Sequence, residues 1–233
     1  MNSNCDLSVI LPAYNEAGGI EQVVRDIDQL LESEHIAHEI ICVENGSTDT
    51  TYAILQRLAG ELPTFRLIQS EVGWGNAVKK GIEYARGAYI CYLVSDGQVD
   101  SSTIITLYKK IKGSKLAMIK GFRSNRESLL RQSISSLYNG LAYPLFGLQT
   151  RDINGTPKIF QGDIARSLVI TAPNIALDLE LLLQIHRQKL PWVEVPVEGR
   201  KRVWGKSSTS IKTAYEMICA LLYFRFRYKF FNY

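Results

Sequence analysis

A chain of 233 residues can bury a sizeable core and fits one large domain better than two. Its 46% hydrophobic and 21% charged residues exclude a disordered or fibrous chain. The net charge of +4 suits an anionic ligand or an acidic membrane surface without demanding nucleic acid. Cys5, Cys42, Cys91 and Cys219 are scattered with no CxxC pair, so they read as reduced thiols of a cytosolic compartment rather than zinc ligands. The opening MNSNCDLSVILP lacks the basic start and long apolar core of a signal peptide. The apolar run from Met217 to Phe224 is far short of the roughly 20 residues that a membrane span needs.

In chain order, Leu7 to Pro12 is a short apolar run that stops at the polar stretch Ala13-Tyr14-Asn15-Glu16. Apolar residues at 3/4 spacing from Ile20 to Leu31 predict a helix. Glu39 to Val43 predicts a second buried strand, ending in the turn-rich Glu44 to Asp49, which can cap a helix over Thr50 to Ala59. Phe65 to Gln69 reads as a third strand, and Gly73-Trp74-Gly75-Asn76 opens the next helix. The run Tyr89 to Val94 then stops at Ser95-Asp96-Gly97-Gln98, as a buried parallel strand does when it delivers a carboxylate to the rim of a sheet. The alternation predicts an α/β chain with a mostly parallel sheet, whose ligands sit outside the carboxyl ends of its strands. Tyr14 and Glu16, then Glu44, Asn45 and Asp49, then Asp96 and Gln98 fall on one such rim. Neither GxGxxG nor a GxxxxGK[ST] phosphate loop is present.

Beyond residue 100 the pattern loosens. Thr103 to Lys112 predicts an amphipathic helix, Leu116 to Phe122 a strand, Leu137 to Phe146 a helix as far as Pro144, and Asp152 to Phe160 a strand after a loop. Ala176 to Arg187 has helical spacing, Trp192 to Val197 is a short strand, and Gly199 to Ser210 is a basic Gly/Ser loop. The tail Tyr223 to Tyr233 alternates aromatic and cationic residues, which suits a membrane interface and an extended segment better than an amphipathic helix. A domain over 1–210 is expected, with 211–233 a segment contacting a membrane surface or a partner, or packing on its own domain. His35, His38 and His186 lie outside every motif, and the sequons at Asn45 and Asn154 are read as chance.

Eight stretches stand in one order: LPAYNE, VENGSTDTT, GWGNAVKKG, SDGQ, GFR, RDINGTPKIF, VEVPV and RVWGKSS. On these motifs, which cover nearly all of its length, the chain resembles a family 2 glycosyltransferase of the GT-A fold, nearest the dolichol-phosphate mannose synthase and polyprenyl-phosphate glycosyltransferase branch. The resemblance implies a Rossmann-like, mostly parallel sheet flanked by helices. It implies an inverting transfer of a hexose from a nucleotide diphosphate sugar to a polyprenyl phosphate at the cytosolic membrane face. Pro12, Tyr14, Glu16, Glu44, Asn45, Ser95 and Asp96 would form the nucleotide-sugar site. Asp96 and Gln98 would hold Mg²⁺ or Mn²⁺ against the diphosphate. Arg123, Arg131, Ser135, Arg202 and Lys206 would bind the donor diphosphate and acceptor phosphate. Asp96, Asp152 and Arg202 are the candidates for the chemistry itself.

Two positions depart from the family pattern. Val94 stands where the first Asp of Asp-x-Asp is usual, which weakens the expected metal binding, and Asn45 replaces an acid before Gly-Ser. A phosphate acceptor is anionic and needs no strong base, whereas a sugar hydroxyl on a glycolipid or polysaccharide needs a carboxylate, for which Asp152 is the candidate. The alternative for Asp152 is a turn fixed with Asn154, that for the arginines is a solvated face, and Trp74 and Trp204 suit packing better than sugar stacking. A third reading is a nucleotide-sugar-binding or scaffold protein that lost catalysis with the first Asp. No nucleic-acid partner is expected, and a homo-oligomer is compatible with the sequence.

Overall fold

A computed structural model describes residues 5–97, 99–123, 129–198 and 211–228, the segments 129–135 and 211–212 by backbone alone. The elements run β1 (Leu7–Ala13), α1 (Ile20–Ser33), β2 (His38–Glu44), α2 (Thr51–Glu61), β3 (Phe65–Gln69), α3 (Trp74–Tyr84), β4 (Tyr89–Tyr92), α4 (Ser102–Ile111) and β5 (Met118–Arg123). They continue with α5 (Leu129–Phe146), β6 (Lys158–Gln161), α6 (Gly162–Ser167), α7 (Ala176–Arg187), β7 (Trp192–Val197) and α8 (Ile211–Arg227). The seven strands form one sheet in the order β3-β2-β1-β4-β6-β5-β7.

Each central strand sends alternate side chains to two separate cores. Leu7, Val9 and Leu11 of β1, Ile40 and Cys42 of β2 and Cys91 of β4 meet α1, α2 and α4 on one face. Ile10, Ile41, Val43, Ile90 and Tyr92 meet α3, α5, α7 and α8 on the other. Covered on both faces, these strands read as continuous apolar runs, which is why the sequence displays them so clearly. Burial pushes the thiols of Cys42 and Cys91 well above their ordinary range.

Every strand but one is parallel to β1. β6 runs antiparallel to both β4 and β5, so the chain enters it from the rim where its neighbours end. The strand expected from Asp152 starts only at Lys158, after a cis Thr156–Pro157 bond, and residues 152–157 become a rim loop. β4 ends at Tyr92 rather than Val94, although Leu93 still donates to the Ile10 carbonyl at 3.3 Å. α5 continues through Pro144 to Phe146, with the proline standing in its last turn and one amide hydrogen bond forgone there. The short α6 carries too few residues for a periodic signal and was not expected.

The tail also differs from expectation. Residues 223–227 are helical, not extended, because Met217, Ala220, Leu221 and Phe224 recur at helical spacing and are buried in the core beside α5 and α7. Arg227 Nη1 lies 3.3 Å from Glu180 Oε1 and donates to Thr171 Oγ1 at 2.7 Å, which fastens the end of α8.

Across β4, β6, β5 and β7 the register aligns Tyr92 with Lys158, Lys158 with Lys120, and Lys120 with Glu194. Both lysines are fully buried. Lys158 Nζ and the Tyr92 hydroxyl donate to Asp178 Oδ1, at 2.5 and 2.7 Å, and Lys120 Nζ lies 2.8 Å from Glu194 Oε1. Asp178 occupies the first turn of α7, where the helix dipole favours a carboxylate. Burial, and then the neighbouring Lys158, push the Lys120 amine down to about 8. Burial opposes ionisation of Glu194, but the Lys120 charge and hydrogen bonds from Lys120, Thr150 and the Arg151 amide keep its carboxyl below the usual range.

Two predictions follow from this row. Asp178→Asn leaves Lys158 charged and without its counter-ion, so urea unfolding should show a loss of about 3–5 kcal/mol; a loss below about 1 kcal/mol would disprove the pairing. Between pH 8 and the ordinary lysine value of 10.5, the folded chain has released the Lys120 proton while the unfolded chain still binds it. The stability contributed by this site therefore rises with pH across that window, by up to about 3 kcal/mol. Urea unfolding at pH about 7.5 and about 10 should show that gain in the wild type relative to Lys120→Met, and equal slopes for the two would refute it.

Candidate active site

The carboxyl ends of β1, β2 and β4 lie side by side, and the loops leaving them are hydrogen-bonded into one rim. The Asn15 amide donates to Ser47 Oγ at 3.1 Å, and Asn15 Oδ1 accepts from the Thr48 amide at 2.8 Å. Asn15 holds this position at φ 55°, a left-handed backbone that Asn tolerates better than most residues. The Glu16 amide donates to Thr51 Oγ1 at 2.9 Å, and the Ala17 amide to Asp49 Oδ2 at 3.2 Å. Burial works against the Asp49 charge, but hydrogen bonds from the Thr51 hydroxyl and the Thr51 and Ala17 amides win and hold its carboxyl below the usual range.

Several predicted nucleotide-sugar residues converge here. Ser95 Oγ donates to the Pro12 carbonyl at 2.8 Å, extending β4 past its last ladder bond along β1. That contact carries Asp96, buried at 4% exposure, to the edge of the β1 loop. Asn45 is buried and donates its amide to the Ala13 carbonyl at 3.1 Å, while Tyr14 is exposed above it. Glu44 is different: its carboxylate accepts from the Ser47 amide, so it shapes its own loop. Half-buried Val94 lines a cleft against Val23, Ile27 and Leu30 of α1. At α3, a Cβ on Gly75 would lie 2.0 Å from the Ala172 carbonyl oxygen, so only glycine lets the helix start approach the 172–173 backbone. Trp74 of the same motif packs edge-on to Tyr92, with ring centroids 6.2 Å apart.

A second group stands two strand spacings away, about 10 Å, at the ends of β5 and β6. Arg123 Nε lies 3.4 Å from Oδ2 of Asp152, which is 2% exposed. Lys120 Nζ donates to the Asp152 backbone carbonyl. The turn expected at Asn154-Gly155 forms, with the Gly155 amide donating to the Asp152 carbonyl at 2.9 Å. Gln98, Arg202 and Lys206 lie outside the described residues, as do the side chains of Arg131 and Ser135. Sequence reasoning overlooked Lys120, Glu194 and Asn139. A signal was available for the first of these, since Lys120 interrupts the apolar strand Met-Ile-Lys-Gly-Phe.

Among the described residues, no group of three or more His, Cys, Asp or Glu side chains could hold a metal ion. Among the described residues, the carboxylate that the rim offers at the end of β4 is Asp96. That fits Mg²⁺ or Mn²⁺ held jointly by one carboxylate and diphosphate oxygens, a mode common for Mg²⁺.

The arrangement as a whole is a rim of polar loops at strand ends, with the Asp96 carboxylate at the end of β4 and the Arg123 guanidinium at the end of β5. The chain is similar to known sugar transferases. The family described as glycosyl transferase family 2 matches residues 8–129. A dodecaprenyl-phosphate galacturonate synthase of Rhizobium johnstonii is 26% identical, over 96% of this chain and 68% of that protein. A dolichyl-phosphate beta-glucosyltransferase of Dictyostelium discoideum is 28% identical, over 97% and 75%. Among solved structures, glucosyl-3-phosphoglycerate synthase of Mycobacterium tuberculosis, crystallised with Mn²⁺, uridine diphosphate and glucosyl-3-phosphoglycerate, superposes with a TM-score of 0.73 at 19% identity, over 94% of this chain and 79% of that one. At that identity the likeness is one of fold, the GT-A fold. The chain belongs to glycosyl transferase family 2 and is a glycosyltransferase.

Proposed function

We propose that this glycosyltransferase moves a hexosyl group from a nucleoside diphosphate sugar to a polyprenyl phosphate, by a single displacement that inverts the anomeric carbon, at the cytosolic face of a membrane. The observation that carries this reading is the Arg123–Asp152 pair. A buried carboxylate beside a guanidinium is suited to aiming that guanidinium at an anion and ill suited to taking a proton from a hydroxyl. The pair therefore favours a phosphate acceptor over a sugar hydroxyl. The names of the relatives, which act on dodecaprenyl and dolichyl phosphates, support the same acceptor class.

In this reading the linked loops after β1 and β2, with Tyr14, Glu16 and Asn45, hold base and ribose. An acceptor phosphate oxygen attacks the anomeric carbon, the bond from that carbon to the diphosphate oxygen breaks, and nucleoside diphosphate departs with the electron pair. Arg123 supplies positive charge on the acceptor side, joined by Arg131, Arg202 and Lys206 and by the neutral hydroxyl donor of Ser135, and no general base is required. A divalent ion held by Asp96, with Gln98, would offset charge developing on the leaving diphosphate.

Membrane contact finds support in α8 and α5. Tyr215, Ile218, Leu222 and Phe226 follow 3/4 spacing along one face of α8 and are half or more exposed, beside exposed Leu137 and Tyr143 of α5. Soluble surfaces seldom present such a stripe, and Arg225 adds charge suited to acidic headgroups. Among the described residues no helix is long and apolar enough to cross a membrane. Residues 213–228 thus serve two ends in this proposal, core packing on one face and lipid contact on the other.

Release of nucleoside diphosphate, measured with a panel of hexose donors and with or without polyprenyl phosphate, tests the transfer. Turnover should require the lipid phosphate, and Asp96→Ala should lower kcat by about 100-fold or more. Turnover with sugar hydroxyls alone, or an unaltered rate in Asp96→Ala, would refute the reading. Separately, Leu222→Glu with Phe226→Glu should reduce sedimentation with acidic phospholipid vesicles by about 10-fold or more, given the apolar area removed; undiminished sedimentation would remove α8 from the membrane surface.

A further inference from the structure

We propose that the pair formed by buried Lys120 and half-buried Glu194 is a positioning clamp, which fixes the Thr150–Asp152 backbone so that Asp152 aims Arg123 across the rim. This deepens the acceptor-side reading of Arg123 and rests on it. The contacts fall on three successive residues. Thr150 Oγ1 donates to Glu194 Oε1 at 2.6 Å. The Arg151 amide donates to Glu194 Oε2 at 2.9 Å, and Lys120 Nζ donates to the Asp152 carbonyl. Asn139 of α5 closes the other side, donating to the Arg151 carbonyl at 2.8 Å and accepting from the Ile153 amide at 2.9 Å. Just beyond, a Cβ on Gly155 would stand 2.1 Å from the Gly121 carbonyl oxygen, so the loop lies directly on β5.

Stability alone does not account for the pair. An apolar pair of similar volume would hold β5 to β7 at least as well, since desolvation of two charges offsets most of their attraction. What apolar residues cannot do is hydrogen-bond a loop backbone. Lys120 and Glu194 use their remaining donor and acceptor capacity on residues 150–152, the segment that delivers Asp152 to Arg123. Neither side chain takes part in the proposed transfer, and both act through the 150–152 backbone, so they are positioning residues. Their effect should appear in kcat, because a small misplacement of a charged group costs turnover more than donor affinity.

Two measurements on the full chain decide this. Hydrogen exchange on the free protein should show the 150–153 amides exchanging about 10-fold or more faster in Lys120→Met than in the wild type, with β1 to β4 unaltered. Thr150→Val, a milder change outside the core, should loosen the same amides and keeps the test available if Lys120→Met does not fold. In steady-state kinetics Lys120→Met should lower kcat about 10- to 100-fold with donor KM unchanged. Combining it with Asp152→Asn should then be no slower than Asp152→Asn alone, as expected when one residue acts through the other. Additive losses in the double variant, or full protection of the 150–153 amides in both single variants, would overturn the clamp. An unaltered rate in Asp152→Asn would instead overturn the acceptor-side reading of Arg123, while the exchange data would still judge the grip on the loop.

Discussion

The structure turns on two lysines buried side by side in adjacent strands. Lys120 and Lys158 are in register on β5 and β6, so their charges meet inside a sheet that offers no solvent. The conflict is resolved by pairing in opposite directions, Lys158 toward Asp178 on α7 and Lys120 toward Glu194 on the edge strand β7. That requirement fixes the order β4-β6-β5-β7 more tightly than apolar packing could, because a one-residue slip would turn an ammonium toward the opposite, wholly apolar core. It also sets the seat of α7, whose first turn supplies the counter-ion.

The reversed strand gives this row its functional meaning. If β6 were parallel, residues 152–157 would lie at the floor of the sheet. Because it is antiparallel, they lie at the rim, where the neighbouring strands end. Arg123 and Asp152 come from segments 29 residues apart, and the β5–β6 pairing places them in contact. The first half of the chain builds the Asp96 rim by successive parallel crossovers, and the second half builds its partner rim by one reversal. The buried lysines sit where the two halves join.

The first half was legible because its physics is local. Buried parallel strands are apolar runs, each ends in polar residues, and those residues are necessarily on one rim. Asn45 and Asp96 could thus be grouped from the strand-end pattern, Pro12 and Ser95 joined them through the family resemblance, and the structure places the loops that carry them side by side. The second half was less legible because its determinants are not local. Nothing in Asp152 to Phe160 announces that strand pairing begins only at Lys158, since that depends on the register with Tyr92 and Lys120. Likewise, the alternation of Tyr223 to Tyr233 suggested an extended tail, whereas the buried positions Met217, Ala220, Leu221 and Phe224 select a helix. Periodicity is an unreliable guide when aromatic residues occupy both the buried and the exposed faces.

Val94 poses a different kind of constraint. With an apolar side chain where a second carboxylate is usual, the rim near Asp96 has less negative charge to repel a diphosphate. It also has less charge to retain a free cation, so metal affinity would depend on the phosphate oxygens arriving with the donor. Binding of ion and nucleotide sugar would then be coupled, each raising the affinity for the other by the same factor. Under the proposed metal role Asp96 would hold the ion together with the donor's phosphate oxygens, and the Ser95–Pro12 bond gives the start of that loop a fixed place beside β1.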